Sequence, residues 1–271
     1  MMPVSGTPDK PIWKLRTTTT EWLVWGGWLL GLVVVAFAWK LVSDKTIWVF
    51  VWDAGTQAAD LAARMVPPKW SYIDNLWRPI WDTFNIATLG TLIALVFAFP
   101  IAFLAARITT PHPLVRAAAL LVIVSSRSIN SLIWALMLVA IIGPGVMAGV
   151  IAIALRSVGF CAKLLYEAIE EIDLKQVEAI EATGASRTQK LAYGIVPQIL
   201  PTFAGVSVFR WDINIRESTV LGLVGAGGLG LQLDASISTL AWTQVSLILL
   251  VILGTVVISE WVSARVRHAI I

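Results

Sequence analysis

Residues 167–201 read EAIEEIDLKQVEAIEATGASRTQKLAYGIVPQILP, a polar stretch between two apolar ones. Glu170, Glu171, Glu178 and Glu181 make it a good helix former that also favours water. Gly184 predicts the end of that helix, as a C-terminal residue in the left-handed conformation. Ser186 is placed to cap a second short helix. Pro197 and Pro201 then open the next apolar run. The expected element is a helix–turn–helix held between two membrane crossings. Such an element transmits force to a soluble partner only if it is short, rigid and well seated. Ala179, Ala182, Gly184 and Ala185 are small enough to permit close docking.

The composition around this stretch is that of a membrane protein. Of 271 residues, 58% are hydrophobic and 14% charged, against about 45–50% and 25% in soluble domains. Mean hydropathy is +0.80. A soluble enzyme, a disordered regulator and a disulfide scaffold are excluded, the last because Cys161 is the single cysteine. A net charge of +3 is too mild to argue for nucleic-acid binding, and basic cytoplasmic loops account for it. The fourteen tryptophans suit membrane interfaces, where the ring is apolar and the N–H stays wet.

Working outward, six apolar runs approach the roughly 20 residues a crossing needs. They cover about 22–42, 81–106, 114–142, 145–166, 198–218 and 242–262. Trp242 and Trp261 bracket the last by roughly 28 Å, close to one hydrocarbon thickness. The third is too long for a straight crossing and is interrupted at Ser125-Ser126-Arg127-Ser128, so a tilted or kinked helix is expected. Residues 43–80 carry Asp44, Asp53, Asp60, Lys69 and Asp74 among tryptophans. They read as an external segment on the membrane surface, with a short amphipathic helix near 54–65. Lys10, Lys14, Arg16, Arg107, Arg116, Lys163, Lys175, Arg187, Lys190, Arg265 and Arg267 fall on one side. Lys45, Arg64, Lys69 and Arg78 fall on the other, balanced by aspartates. The asymmetry places both termini in the cytoplasm.

Charges also fall inside the runs. A mid-bilayer charge costs about 2.5–3.5 kcal/mol even on lenient scales, so it must face protein, water or a counter-ion. Arg210, Asn214 and Glu217 share one helical stripe, at i, i+4 and i+7. Asp212 and Arg216 share a neighbouring stripe and can pair. Arg127, Asn130, Ser131 and Trp134 form a similar stripe on the third span. These residues either line a path for a polar, anionic solute or lock the bundle through internal ion pairs. Arg156 reads as a residue that pairs with a carboxylate or snorkels. Residues 222–230, GLVGAGGLG, are not a phosphate loop, since no Gly-Lys-Ser/Thr follows and no strand precedes. They are expected to form a flexible external loop or gate, with Asp234 capping it. His112 and His268 lack partners at metal-ligand spacing. No catalytic residue set and no metal site is expected, and no inverted halves of a stand-alone transporter are apparent.

Glu178-Ala179, Gly184 six residues later and Pro197 thirteen after that resemble the EAA loop of binding-protein-dependent ABC importer permeases. The departures are Ile180 where alanine is usual, and Gly194 and Val196 where isoleucine and leucine are usual. They change packing size but not register. The runs RSINSLIWALMLVAIIGPG (127–145), FRWDINIRESTVLGLVGAGGLG (209–230) and YGIVPQILP (193–201) are similar to phosphonate importer permeases and, more loosely, to methionine importer permeases. The resemblance covers about residues 80–265. It implies an all-α membrane protein with a five-helix type I importer core at 81–265, after an N-terminal helix and external segment (1–80) and before a short tail (266–271). It further implies a transport subunit with no cofactor of its own, ATP and Mg belonging to a partner ATPase. The implied partners are a second permease copy (a homodimer), two cytoplasmic ABC ATPase subunits, an external substrate-binding protein and the lipid bilayer, with no nucleic acid. The location would be the bacterial inner membrane. Glu178, Ala179, Glu181, Ala182, Gly184 and Ala185 would form the docking loop. Arg127, Asn130, Arg210, Asp212, Asn214, Arg216 and Glu217 would surround the path of a phosphonate or related oxyanion, with methionine or another small polar solute the alternative.

The topology is testable by cysteine accessibility after Cys161→Ala. Single cysteines near Lys69 should label from outside and those near Arg187 from inside. Labelling of both from one side contradicts six crossings with both termini inside.

Overall fold

The structure, a computed structural model, describes residues 4–5, 12–13 and 18–270. Lys10, Lys14 and Arg16, on which the orientation of the N-terminus rests, lie outside the described residues. Two units are distinguished, one ending at Leu61 and one beginning at Ala62. The first opens with a two-residue antiparallel pair, β1 (Val4–Ser5) and β2 (Ile12–Trp13). Helix α1 (Thr18–Lys45) follows, long and apolar enough to cross a membrane. Helix α2 (Trp48–Met65) starts six residues before the expected 54. The aromatic and β-branched run at its start has weak helix propensity, which is why the sequence placed the boundary later. Trp48 secures that start: its indole donates to the Ser43 carbonyl at 3.2 Å, and its ring lies 6.3 Å from that of Trp39.

The second unit contains α3 (Trp77–Ala105), preceded by a tight turn at Trp70–Leu76. Then come α4 (Pro113–Ser128), α5 (Ser131–Ile142) and α6 (Val146–Glu170). Helix α7 (Leu174–Ala182) and the three-residue α8 (Arg187–Gln189) lead through a widened π turn at Lys190–Ile195 into α9 (Val196–Gly222). Helices α10 (Gly228–Ser238) and α11 (Trp242–Ile270) complete it. Among the described residues five helical segments can cross a membrane, and six if α4 and α5 count as one broken span.

The kink expected in the third span is a break. Helices α4 and α5 meet at 86°. Ile129 and Asn130 adopt extended backbone there. The Asn130 side chain accepts the Leu132 N–H at 3.1 Å, starting α5 afresh. The serines before the break stay helical. Ser126 inserts its hydroxyl into the backbone ladder of α6, donating to the Leu155 carbonyl and accepting the Gly159 N–H at 2.9 Å.

The bundle is organised around α3 and α6, which pack along one another more extensively than any other pair. Ala87, Gly90, Thr91, Ala94, Ala98, Ala102 and Ala105 form a small-residue stripe on α3 at spacings of three and four, and all are buried. Ala148, Gly149, Ala152, Gly159 and Ala162 answer it on α6. Lipid offers no hydrophobic gain for burying a leucine, so close backbone approach through small residues is what holds such helices together. A Cβ on Gly90 would lie 2.7 Å from Ile153 Cγ2.

The glycine-rich segment is not the flexible loop expected. Ala226 and Leu229 are fully buried and Gly227, Gly228 and Gly230 are enclosed with them. The chain turns in left-handed conformations at Gly225, Gly227 and Gly228. It then re-enters as α10, packed on α3, α9 and α11. The glycines serve contact: a Cβ on Gly222 would lie 2.5 Å from the Gly227 carbonyl. The Leu229 N–H donates to Thr83 Oγ1 at 2.9 Å, and Gly145 N–H to the Gly225 carbonyl at 2.9 Å. Asp234 caps nothing; it is exposed on α10.

A Cβ on Gly230 would sit 1.9 Å from the Thr219 carbonyl oxygen, a backbone atom that cannot swing aside. Gly230→Ala is expected to cost at least about 1–3 kcal/mol by overpacking, read as a lower melting temperature in detergent. Gly254→Ala, whose Cβ meets nothing within 4 Å, should melt at or above the wild-type temperature.

Candidate functional site

At one end of the bundle, the end of α3, the start of α4 and the end of α6 converge on Glu170. Its carboxylate accepts the Arg107 backbone N–H at 3.0 Å and lies 3.6 Å from Arg116. Helix α7 is seated beside them. Asp173 caps it, accepting the Lys175 N–H at 3.0 Å. Val177 is buried against Ala102, Ala106, Leu165, Ile169, Ile195 and Ile199. Gly184 ends the hairpin at φ +79°. Ser186 starts the return in a reciprocal capping box with Gln189. The second arm is not a separate helix. It runs through the π turn into α9, and Arg187–Gly222 is one helical segment long and apolar enough to cross a membrane. The wider turn relieves the clash that Pro197 would make with the carbonyl four residues back.

Glu178, Ala179, Glu181, Ala182 and Gly184 are exposed, and Ala185 is half-buried. Glu181 is bound by Lys190 at 2.6 Å. Glu178 has no partner among the described residues and borders a groove of about 240 Å3 shared with Ile108, Thr109, Glu181 and Arg187. Two of the three size departures in this loop, Ile180 and Gly194, meet each other. A Cβ on Gly194 would touch Ile180 Cδ1 at 3.4 Å and Val177 Cα at 3.5 Å. The larger residue at 180 thus fills the space released at 194.

Deeper in the bundle, the polar residues of α9 divide into two groups. Arg210 is 2% exposed. Its Nε donates to Ser157 Oγ at 2.9 Å, its Nη2 approaches Glu217 at 3.3 Å, and its guanidinium lies 5.0 Å from the Phe160 ring centre. Asn214 is fully enclosed and donates to Thr91 Oγ1 at 2.8 Å and Ser157 Oγ at 3.1 Å. The residues at 210, 214 and 217 are therefore joined in one hydrogen-bonded network through Ser157 and Arg210. Asp212 turns the other way, toward α11, accepting from Ser259 at 2.8 Å and pairing with Arg216. The stripe drawn through 127, 130, 131 and 134 does not exist as one face, because the break at 129–130 divides it. Arg127 ends α4, exposed and without a partner among the described residues, and Asn130 is spent as a cap.

Arg156 is more central than its sequence context suggested. Its Nη1 holds Glu217 at 2.7 Å and reaches Ser131 Oγ at 3.3 Å. Thr91 and Ser157 join this network without having been singled out by the sequence. Their signal was present: small hydroxyl residues at helical spacing within otherwise apolar runs.

Residues 98–268 match the family described as binding-protein-dependent transport system inner membrane component. The chain belongs to this family. This permease is 40% identical to the phosphite transport system permease protein PtxC of Stutzerimonas stutzeri, over 89% of this chain and 90% of that one. It is 36% identical to the phosphate-import permease protein PhnE of Mycolicibacterium smegmatis over 88% of its length, spanning 44% of that longer relative. Among solved structures, an inward-facing form of the MetNI methionine ABC transporter covers 74% of this chain and 98% of its own, at TM-score 0.65 and 20% identity. The fold is that of a type I ABC importer permease, a five-helix core with an added N-terminal helix. The permease is a transport subunit, not an enzyme.

Glu217 lies between the guanidinium groups of Arg156 and Arg210. Glu217→Leu should cost on the order of 3–5 kcal/mol in thermal unfolding in detergent, because it strands buried charge. Asp212→Asn should cost less, since Arg216 is half exposed and stays hydrated.

Proposed function

We propose that this permease carries phosphite, a phosphonate or a similar small oxyanion into the cell as part of an ABC importer. One observation carries the substrate class: the 40% identity to a phosphite transport system permease extends over nine-tenths of both chains. The likeness to a methionine transporter rests on fold at 20% identity, which leaves methionine the weaker reading. The basic interior favours the same choice. A guanidinium matches a phosphorus oxyanion through paired hydrogen bonds, whereas a zwitterionic amino acid has no need of surplus positive charge.

The assembly we propose has two copies of this chain around a central path, two cytoplasmic ABC ATPase subunits and an external substrate-binding protein. ATP and Mg are held by the ATPases and no cofactor by this chain. The permease lies in the inner membrane with both termini cytoplasmic. The exposed face of α7, with Glu178, Ala179, Glu181, Ala182, Gly184 and Ala185, is the ATPase docking surface. Arg127 and Asn130 face the path at the break between α4 and α5. Arg210, Asp212, Asn214, Arg216 and Glu217 shape its field from α9. A path needs charges that lower the barrier without trapping the solute.

Two experiments test this reading. In vesicles reconstituted with ATPase and binding protein, ATP-driven uptake of phosphite, methylphosphonate or phosphate is expected, and uptake of methionine is not; the reverse overturns the substrate class. Gly184→Leu places a side chain in a left-handed turn, at roughly 1–2 kcal/mol, on the docking surface. A Cβ there meets nothing within 4 Å among the described residues. The variant should express and fold, yet bind the ATPase poorly or hydrolyse ATP without transport. Wild-type uptake by this variant would remove the loop from the coupling role.

A further inference from the structure

The charges at the centre of the bundle do not cancel. Arg156 and Arg210 share the single carboxylate of Glu217. The other carboxylate on this part of α9, Asp212, is engaged by Arg216 and Ser259. One positive charge is therefore in surplus in a region where an unpaired charge is expensive and is kept only for a reason.

The surplus belongs to Arg156. Arg210 is enclosed and engaged on Ser157, Glu217 and Phe160. Without Arg156, Arg210 and Glu217 would still form a neutral, hydrogen-bonded pair, so the fold has no electrostatic need of a second guanidinium. Arg156 also differs in access: about a third of its side chain (32%) is open. A single nitrogen, Nη1, serves both Glu217 and Ser131, which leaves Nε and Nη2 without partners among the described residues. One turn beyond Ser131 on α5, the Trp134 indole N–H is buried and has no acceptor among the described residues.

We propose that Arg156, assisted by the Ser131 hydroxyl, is the contact for the oxyanion at mid-membrane, and that Glu217 is its internal stand-in when the path is empty. This rests on the oxyanion reading given above. The carboxylate of Glu217 already presents an anionic oxygen to Arg156. An arriving oxyanion takes the open edge of the guanidinium fork, and Glu217 remains on Arg210. One anion replaces another and no guanidinium is left bare at any stage. The site is shallow for that reason, which is what passage requires. Arg210, by contrast, is a positioning residue that holds Glu217 in place.

The test uses the complete transporter in vesicles, with phosphite and phosphate as separate probes. Arg156→Gln should assemble with its ATPase and melt as the wild type does. Its uptake of the transported probe should fall by about tenfold or more, the scale of one lost charge-assisted hydrogen bond. Arg156→Lys should recover part of the rate, since charge returns without the fork. Ser131→Ala should lose less than Arg156→Gln. Uptake by Arg156→Gln within twofold of wild type overturns the proposal. So does failure of that variant to assemble or a clear drop in its melting temperature, which would make Arg156 structural. Full recovery by Arg156→Lys supports the charge and overturns the role of the fork. If the wild type moves neither probe, the oxyanion reading itself has failed and this proposal falls with it.

Discussion

Inside hydrocarbon no water is available to satisfy a polar group, and the arrangement of this bundle follows from that constraint. The polar side chains at the contacts of α3, α4, α6 and α9 are given partners from a different helix or from their own backbone, whereas the Trp134 indole N–H and the Ser263 hydroxyl have none among the described residues. Thr91 donates to the Ala87 carbonyl and accepts from Asn214. Ser157 links Asn214 to Arg210. Ser126 bonds α4 to the backbone of α6. These bonds are short-range and directional, so they require the helices to approach closely. The alanine and glycine stripes of α3 and α6 permit that approach. Packing and polar satisfaction are therefore one requirement: larger residues along α3 would separate the helices and cost Asn214 its Thr91 acceptor.

The sequence made the crossings legible because hydropathy reports a bulk property of each segment. The hairpin at 174–189 was legible because capping is local: Gly184 and Ser186 act within a few residues of themselves. Tertiary choices were less visible. The glycines at 222–230 allow either a free loop or close backbone contact, and local sequence cannot separate the two. Only the proximity of Thr219, Thr83 and Val146 decides for contact. Arg156 was undervalued for a similar reason. Its partner lies 61 positions away on α9, and no periodicity within one helix reveals a pair between two. The break between α4 and α5 was anticipated as a kink, but its angle depends on Ile129 and Asn130 both leaving the helical region.

The pairing of Ile180 with Gly194 shows how the hairpin can vary without losing its seat. The two residues stand on opposite arms of the hairpin, and the space given up by one is taken by the other. Substitution of either alone would open a void or force the arms apart. The exposed face, which carries Glu178 and Ala182, is untouched by this exchange. Core volume and exposed surface are separable because a helix presents different residues to its two sides.

The hairpin and the central charges lie on the same two helices. Helix α6 carries Arg156 and ends at Glu170, where it is tied to Arg107 and Arg116. The segment holding Arg210 and Glu217 begins at Arg187, immediately after the turn. Residues 187 and 217 are roughly 45 Å apart along such a helix, at about 1.5 Å per residue. Gln198 clamps this segment to the start of α7, accepting the Asp173 N–H at 3.0 Å and donating to the Gly194 carbonyl at 2.7 Å. The hairpin is thus bonded to α9 rather than hung from it. Push on α7 and the displacement passes into α9, whose only internal interruptions are the π turn and Pro201. Glu217 rides on α9, while its partner Arg156 rides on α6. Relative motion of these two helices changes the 2.7 Å contact directly, because an ion pair at that distance has no slack to absorb it.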